Sequence, residues 1–282
     1  MHSMVPLVVP TANPHHLLLL HTQQKYLQSN NLKDNIVKLD NLNDKDTKLI
    51  ENHTDLMNND HHTIEPKQGW LVCNANCSTT ALVVALKPLQ EAFGPLESVM
   101  VTTMQAISGA GYPGVPSLDI LGNVVPYIGG EEAKIETETC KILGILNDSH
   151  EKIIDAQINI SAMCNRVAVV DGHTECVSVR FKNQPAPSLE QIKKCWTEFK
   201  SPYATTCHYV PKHPVLLTEI KNRPQPRLDV DVGNGMCVVV GGIRECNVFD
   251  VKFTLLCHNT VLGAAGSAIM NAEIAVAMGL VI

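Results

Sequence analysis

The chain has 282 residues, a formal net charge of -6 and 45% hydrophobic residues, enough for one large domain or two modest ones with a proper core, and with no basic face for nucleic acid. Its ten cysteines, at 73, 77, 140, 164, 176, 195, 207, 237, 246 and 257, lie mostly in or beside apolar runs, which suits the reduced, buried thiols of a cytoplasmic protein rather than a disulfide scaffold. The opening MHSMVPLVVPTANP has no basic region and is broken by prolines, unlike a signal peptide, and no apolar run reaches the roughly 18 residues that argue for a membrane-spanning helix.

In chain order, PLVVP reads as a short strand, followed by a turn at TANP and the start of a helix. From Gln28 to His62 the chain is rich in Asn, Asp and Lys and poor in apolar residues, which predicts a disordered or mobile insertion. Ile36, Leu39 and Leu42, at near-helical spacing, leave a weak helix as the alternative there. GWLVCNA, starting at Gly69, predicts a buried strand, and 79–93 a helix kinked at Pro88. ESVMVTTMQAI predicts a strand, SGAGYPGVPSLD a Gly/Pro loop, and EEAKIETETCKIL a helix with Ile135, Ile142 and Leu143 on one side. NRVAVVDGHTECVSVRF predicts two strands around a turn at Asp171 and Gly172, with Val177, Val179 and Phe181 facing the core and Cys176, Ser178 and Arg180 facing away. SLEQIKKCWTEF carries a capping box, Ser188 with Gln191, and an apolar stripe of Leu189, Ile192, Trp196 and Phe199. A long Pro-rich connection over 201–235 precedes two last strands, GMCVVVGG and VFDVKFTLL, and a closing helix of small residues, AAGSAIMNAEIAVAMG. Helices mixed with antiparallel-type strands predict an α+β fold.

Few residues here carry chemistry. Cys77, in NANCSTT, falls where a helix begins, and the unpaired N–H groups and positive dipole of a helix start favour a thiolate. That makes it either a nucleophile or a structural cysteine whose neighbours cap the helix. His173, in VVDGHTE, sits in a strand-to-strand turn at the end of a sheet, as an exposed general base would, or as a solvated turn histidine would. Arg166 lies near the start of the preceding strand. Glu131 and Lys134, three apart on a helix, suit an amino group and an anion, or form a solvated ion pair of little value. GAGYPG over 109–114 fits GxGxxG, but Pro113 and Pro116 oppose the helix a dinucleotide fingerprint requires. The zinc-deaminase pattern stops at His173 and Glu175, and the His15-His16 and His61-His62 pairs lack partners at ligand spacing, so no metal is assigned.

Taken together, NANCSTT, MQAISGAGYPG, GEEAKIETETCKILG, CNRVAVVDGHTECVSVRF, RPQPRLD and VKFTLLCHNTVLGAAGSAIMNAE resemble the aspartate-semialdehyde dehydrogenase family of fungi and archaea, over nearly all of 69–282. The opening VPLVVPTANPHHL is similar to that family as well. The resemblance implies an oxidoreductase of amino-acid biosynthesis, serving lysine, threonine and methionine, that reduces aspartyl phosphate with NADPH through a cysteine thioester. It implies Cys77 as nucleophile, His173 as acid/base and Gln105 in the acyl pocket. It implies Arg166, Glu131, Lys134 and Asn76 as contacts to substrate and phosphate, Ser108, Gly109 and Asn271 as contacts to NADP, and a homodimer or homotetramer in the cytoplasm.

The departures from that family shape the domain expectation. No glycine precedes Gly69, so a glycine-rich phosphate loop has no place before it. Residues 1–27 are then a remnant of a Rossmann-type NADP-binding domain, 28–68 a polar insertion, 69–262 a mixed-sheet catalytic and dimerisation domain, and 263–282 a helix packing on the nucleotide domain. Gly242 and Val230 stand where the resemblance implies arginine. NADP binding is expected to be impaired. Three readings follow: the enzyme, a non-catalytic dimerising remnant of it, or a thiol-based redox or acyl-binding protein.

Overall fold

The computed structural model describes Leu7–Val8 and residues 72–149 and 152–280. The polar insertion expected over 28–68 and most of the nucleotide-domain remnant expected over 1–27 lie outside the described residues. Strand β1 (Leu7–Val8) pairs in parallel with β2 (Cys73–Asn74). Helix α1 (Cys77–Phe93) leads into β3 (Leu96–Gln105), a 3-10 turn, the short α2 (Ser117–Ile120) and β4 (Val124–Val125). Helix α3 (Glu131–Ile142), the hairpin of β5 (Ile145–Leu146) and β6 (Ile153–Ile154), and the long strands β7 (Asn159–Val167) and β8 (His173–Phe181) follow. The chain closes with α4 (Leu189–Glu198), β9 (Val215–Leu217), α5 (Pro226–Asp229), β10 (Val238–Glu245), β11 (Val251–Cys257), a π-turn at Val261–Ala265 and α6 (Gly266–Ala277).

Seven strands form one mixed sheet in the order β4-β7-β3-β8-β11-β10-β9. The two strands expected around the Asp171–Gly172 turn do form, but they do not pair with each other. β3 lies between them, parallel to β7 and antiparallel to β8. The 201–235 connection, expected to be irregular, supplies the edge strand β9, which pairs in parallel with β10. Three residues without alternation, VLL, give no periodicity from which to recognise a strand.

Register stacks the side chains on the helix-covered face into rungs. Ile160, Val99, Val179 and Val251 form one rung, and Ala162, Val101, Val177 and Phe253 the next. Then the residue types change: Cys164, Thr103, Glu175 and Leu255 are in register, and beyond them Arg166 pairs with Gln105, and His173 with Cys257. Period-two alternation therefore delivers apolar side chains to the core and, at one end of the same strands, a buried polar group.

Helix α1 packs against this sheet and against the helices α3 and α4, which also touch the sheet themselves. Ala81, Leu82, Val83, Val84, Ala85 and Leu86 are all buried, which is why its sequence shows an apolar run rather than a stripe. Pro88 cannot donate to the helix ladder. The turn before it is tied from outside, where Trp196 Nε1–H donates to the Ala85 carbonyl at 2.8 Å and the indole packs edge-on against Phe253 at 5.0 Å. Met270, Ile274 and Ala275 of α6 are buried in the same core. The opposite face of the sheet is open and exposes Met100, Met163 and Cys176. All ten cysteines are free, but the expectation of buried thiols fails for Cys73 and Cys176, which are exposed, the second because it points out from that open face. Among the described residues, no helix is long and apolar enough to cross a membrane, and no cluster of His, Cys, Asp or Glu is arranged to hold a metal ion.

Candidate active site

Asn76 caps α1: its side-chain oxygen accepts the N–H groups of Ser78 at 3.0 Å and Thr79 at 3.2 Å, and Cys77 is the first helical residue. The cap turns the Cys77 side chain toward the polar end of the sheet. There Sγ lies 3.1 Å from His173 Nε2. Gly263, in the π-turn, allows this approach, since a Cβ at that position would come within 2.7 Å of Cys77 Cβ.

His173 is not on an exposed turn as expected. It opens β8 and is fully buried, because the turn falls at Asp171–Gly172 and the strand begins one residue later. Its Nδ1 accepts the Ala106 N–H at 3.1 Å, and the Ala106 carbonyl accepts Arg166 Nη1–H at 2.7 Å. One peptide unit thus orients both side chains. Because Nδ1 is an acceptor, the proton of the neutral ring sits on Nε2, facing the sulfur. Burial, reinforced by the Arg166 charge, pushes the imidazole down to about 3, so it stays neutral.

The low-pKa thiolate expected from the helix start is not what the site holds. Burial, with the nearby Glu131 charge, pushes the Cys77 thiol up to about 11, against the Ser78 N–H that favours the anion. Desolvation outweighs the helix terminus. The site contains a neutral thiol beside a neutral imidazole that presents a donor, and that hydrogen bond strengthens as the sulfur gains negative charge.

The remaining expected residues gather around this pair. Glu131 Oε2 accepts Asn76 Nδ2–H at 2.7 Å and Gln105 Nε2–H at 3.3 Å, while Oε1 faces Lys134 Nζ at 3.1 Å. Burial opposes its ionisation, but hydrogen bonds from Asn76, Lys134 and Gln105 hold its carboxyl below the ordinary value. Every polar group of Asn76 is engaged within the chain: its N–H by Glu138, its carbonyl by Thr80, its amide by Ser78, Thr79 and Glu131. Ser108 Oγ accepts Asn259 Nδ2–H at 2.9 Å. A side chain on Gly109 would meet Arg166 and His173 at 3.0 Å, so the backbone there lies directly over the pair. Asn271 Nδ2 donates to Asn74 at 2.7 Å, and its buried Oδ1 has no partner among the described residues.

Sequence reasoning missed two carboxylates. Glu175 is fully buried, both carboxyl oxygens without a partner among the described residues, and burial raises its pKa well above the ordinary value, keeping it neutral. Two residues after His173 on an alternating strand, it had to share that face, and the alternation already contained the signal. Glu138, seven residues after Glu131, shares the helix face that reads the site.

A half-buried sulfur at a helix start, a tethered N–H donor beside it and a fixed guanidinium are groups that acyl transfer through cysteine can use. The chain is similar to known proteins. The model of the semialdehyde dehydrogenase dimerisation domain matches residues 86–262. Aspartate-semialdehyde dehydrogenase of Saccharomyces cerevisiae is 52% identical over 222 residues, 77% of this chain and 61% of the relative. That of Cryptococcus neoformans is 46% identical over 286 residues, 98% and 67%. The crystal structure of the Candida albicans enzyme with NADP superposes with a TM-score of 0.79 at 41% identity, covering 99% of this chain and 69% of that one. This chain belongs to the aspartate-semialdehyde dehydrogenase family, and it spans about two thirds of the length of these relatives.

Proposed function

We propose that the chain carries the acyl-transfer half of an aspartate-semialdehyde dehydrogenase, interconverting β-aspartyl phosphate and aspartate semialdehyde in the biosynthesis of lysine, threonine and methionine. The observation that supports this best is the 3.1 Å contact between Cys77 Sγ and His173 Nε2, held by the Ala106 peptide. Cys77 sulfur attacks the acyl carbon, the C–O bond to phosphate breaks, and phosphate leaves with the electron pair while the thiol proton passes to the medium. His173 acts as a hydrogen-bond donor: its Nε2–H stabilises the charge that develops on the acyl oxygen or on sulfur. Arg166 uses one N–H on Ala106, leaving the rest of its fork to grip the substrate carboxylate. Glu131 takes the substrate ammonium, displacing Lys134, which then faces phosphate. Gln105 lines the acyl pocket.

NADP is the cofactor of this reading, and the residues present suit its nicotinamide end. Among the described residues Asn271 Oδ1 is a buried acceptor without a partner, which a carboxamide N–H would satisfy, and Gly109 puts no side chain against His173. Ser108 precedes Gly109 in the chain, and its hydroxyl accepts Asn259 Nδ2–H. When bound, the nicotinamide supplies hydride to the thioester carbon, or takes it in reverse. The open sheet face with Met100 and Met163 suits burial against a second copy, as a homodimer or homotetramer, and the free thiols suit the cytoplasm.

The test is oxidation of aspartate semialdehyde at saturating NADP, followed as NADPH formation. The expected rate depends on phosphate and vanishes in Cys77→Ala. Turnover that survives Cys77→Ala, or that ignores phosphate, contradicts the assignment.

A further inference from the structure

Among the described residues, two helices start on a side-chain cap, and they complete it differently. In α4, Ser188 and Gln191 form a local capping box: the Gln191 N–H donates to the Ser188 hydroxyl at 3.3 Å, and Gln191 Oε1 accepts the Ser188 N–H at 2.8 Å. In α1 the cap is Asn76, and the third helical residue is Thr79, not Glu or Gln. The Asn76 N–H is accepted instead by Glu138 Oε2, at 2.7 Å and 62 residues away in sequence. The same helix face supplies Glu131 to the Asn76 side chain, also at 2.7 Å.

We propose that Glu138 is a positioning residue for the nucleophile, closing from α3 the capping box that α1 lacks and so fixing the first turn on which Cys77 sits. The geometry gives the device a purpose. Cys77 follows Asn76 directly, so any freedom at the cap is freedom of the sulfur relative to His173. A local Glu would hold the cap but leave α1 free to shift against α3. A carboxylate from α3 holds both at once, so the helix bearing the nucleophile and the helix bearing Glu131 and Lys134 move together. Glu132 and Glu136 fasten the other side of α3 to the sheet, accepting the N–H groups of Cys164 and Ala162, each at 3.1 Å. Glu138 needs only an acceptor oxygen for this role, not a charge.

The inference rests on Cys77 being the nucleophile of the proposed function, and the test separates the two. In the full chain, the rate of Cys77 alkylation by iodoacetamide is measured at pH 8 by peptide mass spectrometry. Cys246, at the opposite end of the sheet, serves as internal reference, with thermal midpoint and kcat and KM alongside. Glu138→Ala should slow Cys77 relative to Cys246 about threefold or more, because the sulfur loses the Nε2–H of His173, and should lower kcat about tenfold while leaving KM within about twofold. Glu138→Met, which keeps the volume but offers no oxygen, should behave like alanine, and Glu138→Gln should restore both readouts to near wild type. An unchanged or faster Cys77 rate in the Ala and Met variants, or a Gln variant as impaired as they are, overturns the proposal. Alkylation needs neither NADP nor substrate. A chain that shows the expected alkylation pattern but no turnover therefore contradicts the proposed function and not this inference.

Discussion

The two ends of the seven-stranded sheet are built by the same rule and serve opposite purposes. At one end the rungs are Val, Ile, Ala and Phe, and Trp196 closes over Phe253. At the other end the same alternation along the same strands places Thr103, Gln105, Arg166, His173 and Glu175 inside. Burial stabilises the first set and strains the second: it lowers the imidazole, raises the thiol and keeps Glu175 neutral. The difference teaches that the site is core by position and polar only by residue type. Substitutions at the two ends should therefore separate stability from chemistry.

The largest effect expected at the polar end is on rate. His173→Ala should reduce phosphate-dependent turnover by roughly two to four orders of magnitude, the usual contribution of one acid/base group, with little change in melting temperature. Unimpaired turnover would break the contrast. At the apolar end, Trp196→Ala should lower stability by about 3–5 kcal/mol in urea unfolding, while the folded fraction keeps its turnover per site. A rate loss without a stability loss there would show that the two ends are not separable.

Glu175 sharpens the contrast through pH. Its folded pKa is raised, so between the ordinary carboxylate value and the raised one the unfolded state holds fewer protons than the native state, and stability falls as pH rises through that window. Glu175→Gln removes the titration. The variant should gain on the wild type from pH 5 to pH 8, by up to about 1.4 kcal/mol per pH unit within the window, read from unfolding curves. A constant difference across that range would mean that Glu175 finds a partner. The smallest effect belongs to Lys134, which is largely exposed. Lys134→Met should change stability by less than about 1 kcal/mol, since its pair with Glu131 is solvated on one side, yet raise the KM for phosphate. A stability loss well beyond that would place Lys134 in the scaffold.

Much of this was legible beforehand. The outward Cys176 and inward Val177, Val179 and Phe181 follow from alternation, and the Ser188–Gln191 box from three-residue spacing. The resemblance named Cys77, Gln105, Arg166 and His173, whereas from the residues alone Cys77 and His173 each kept a bland alternative. What stayed hidden depends on tertiary contact. Insertion of β3 between β7 and β8 is a pairing choice that no local pattern encodes. The burial of His173, the Ala106 hydrogen bond that sets its tautomer and the rise of the Cys77 pKa all arise from neighbours distant in sequence. Glu138 is a cap partner 62 residues away, where the local rule looks three residues ahead.

The central claim is that the polar end of the sheet performs acyl transfer through Cys77, and it can be tested without the hydride step. β-Aspartyl phosphate is added to the chain with no NADPH, phosphate release is measured, and the chain is digested and mapped by mass spectrometry. The expected result is a stoichiometric burst of phosphate and an aspartyl thioester on Cys77, both absent in Cys77→Ala. Phosphate release without an adduct on Cys77, or an adduct on another cysteine alone, would contradict it.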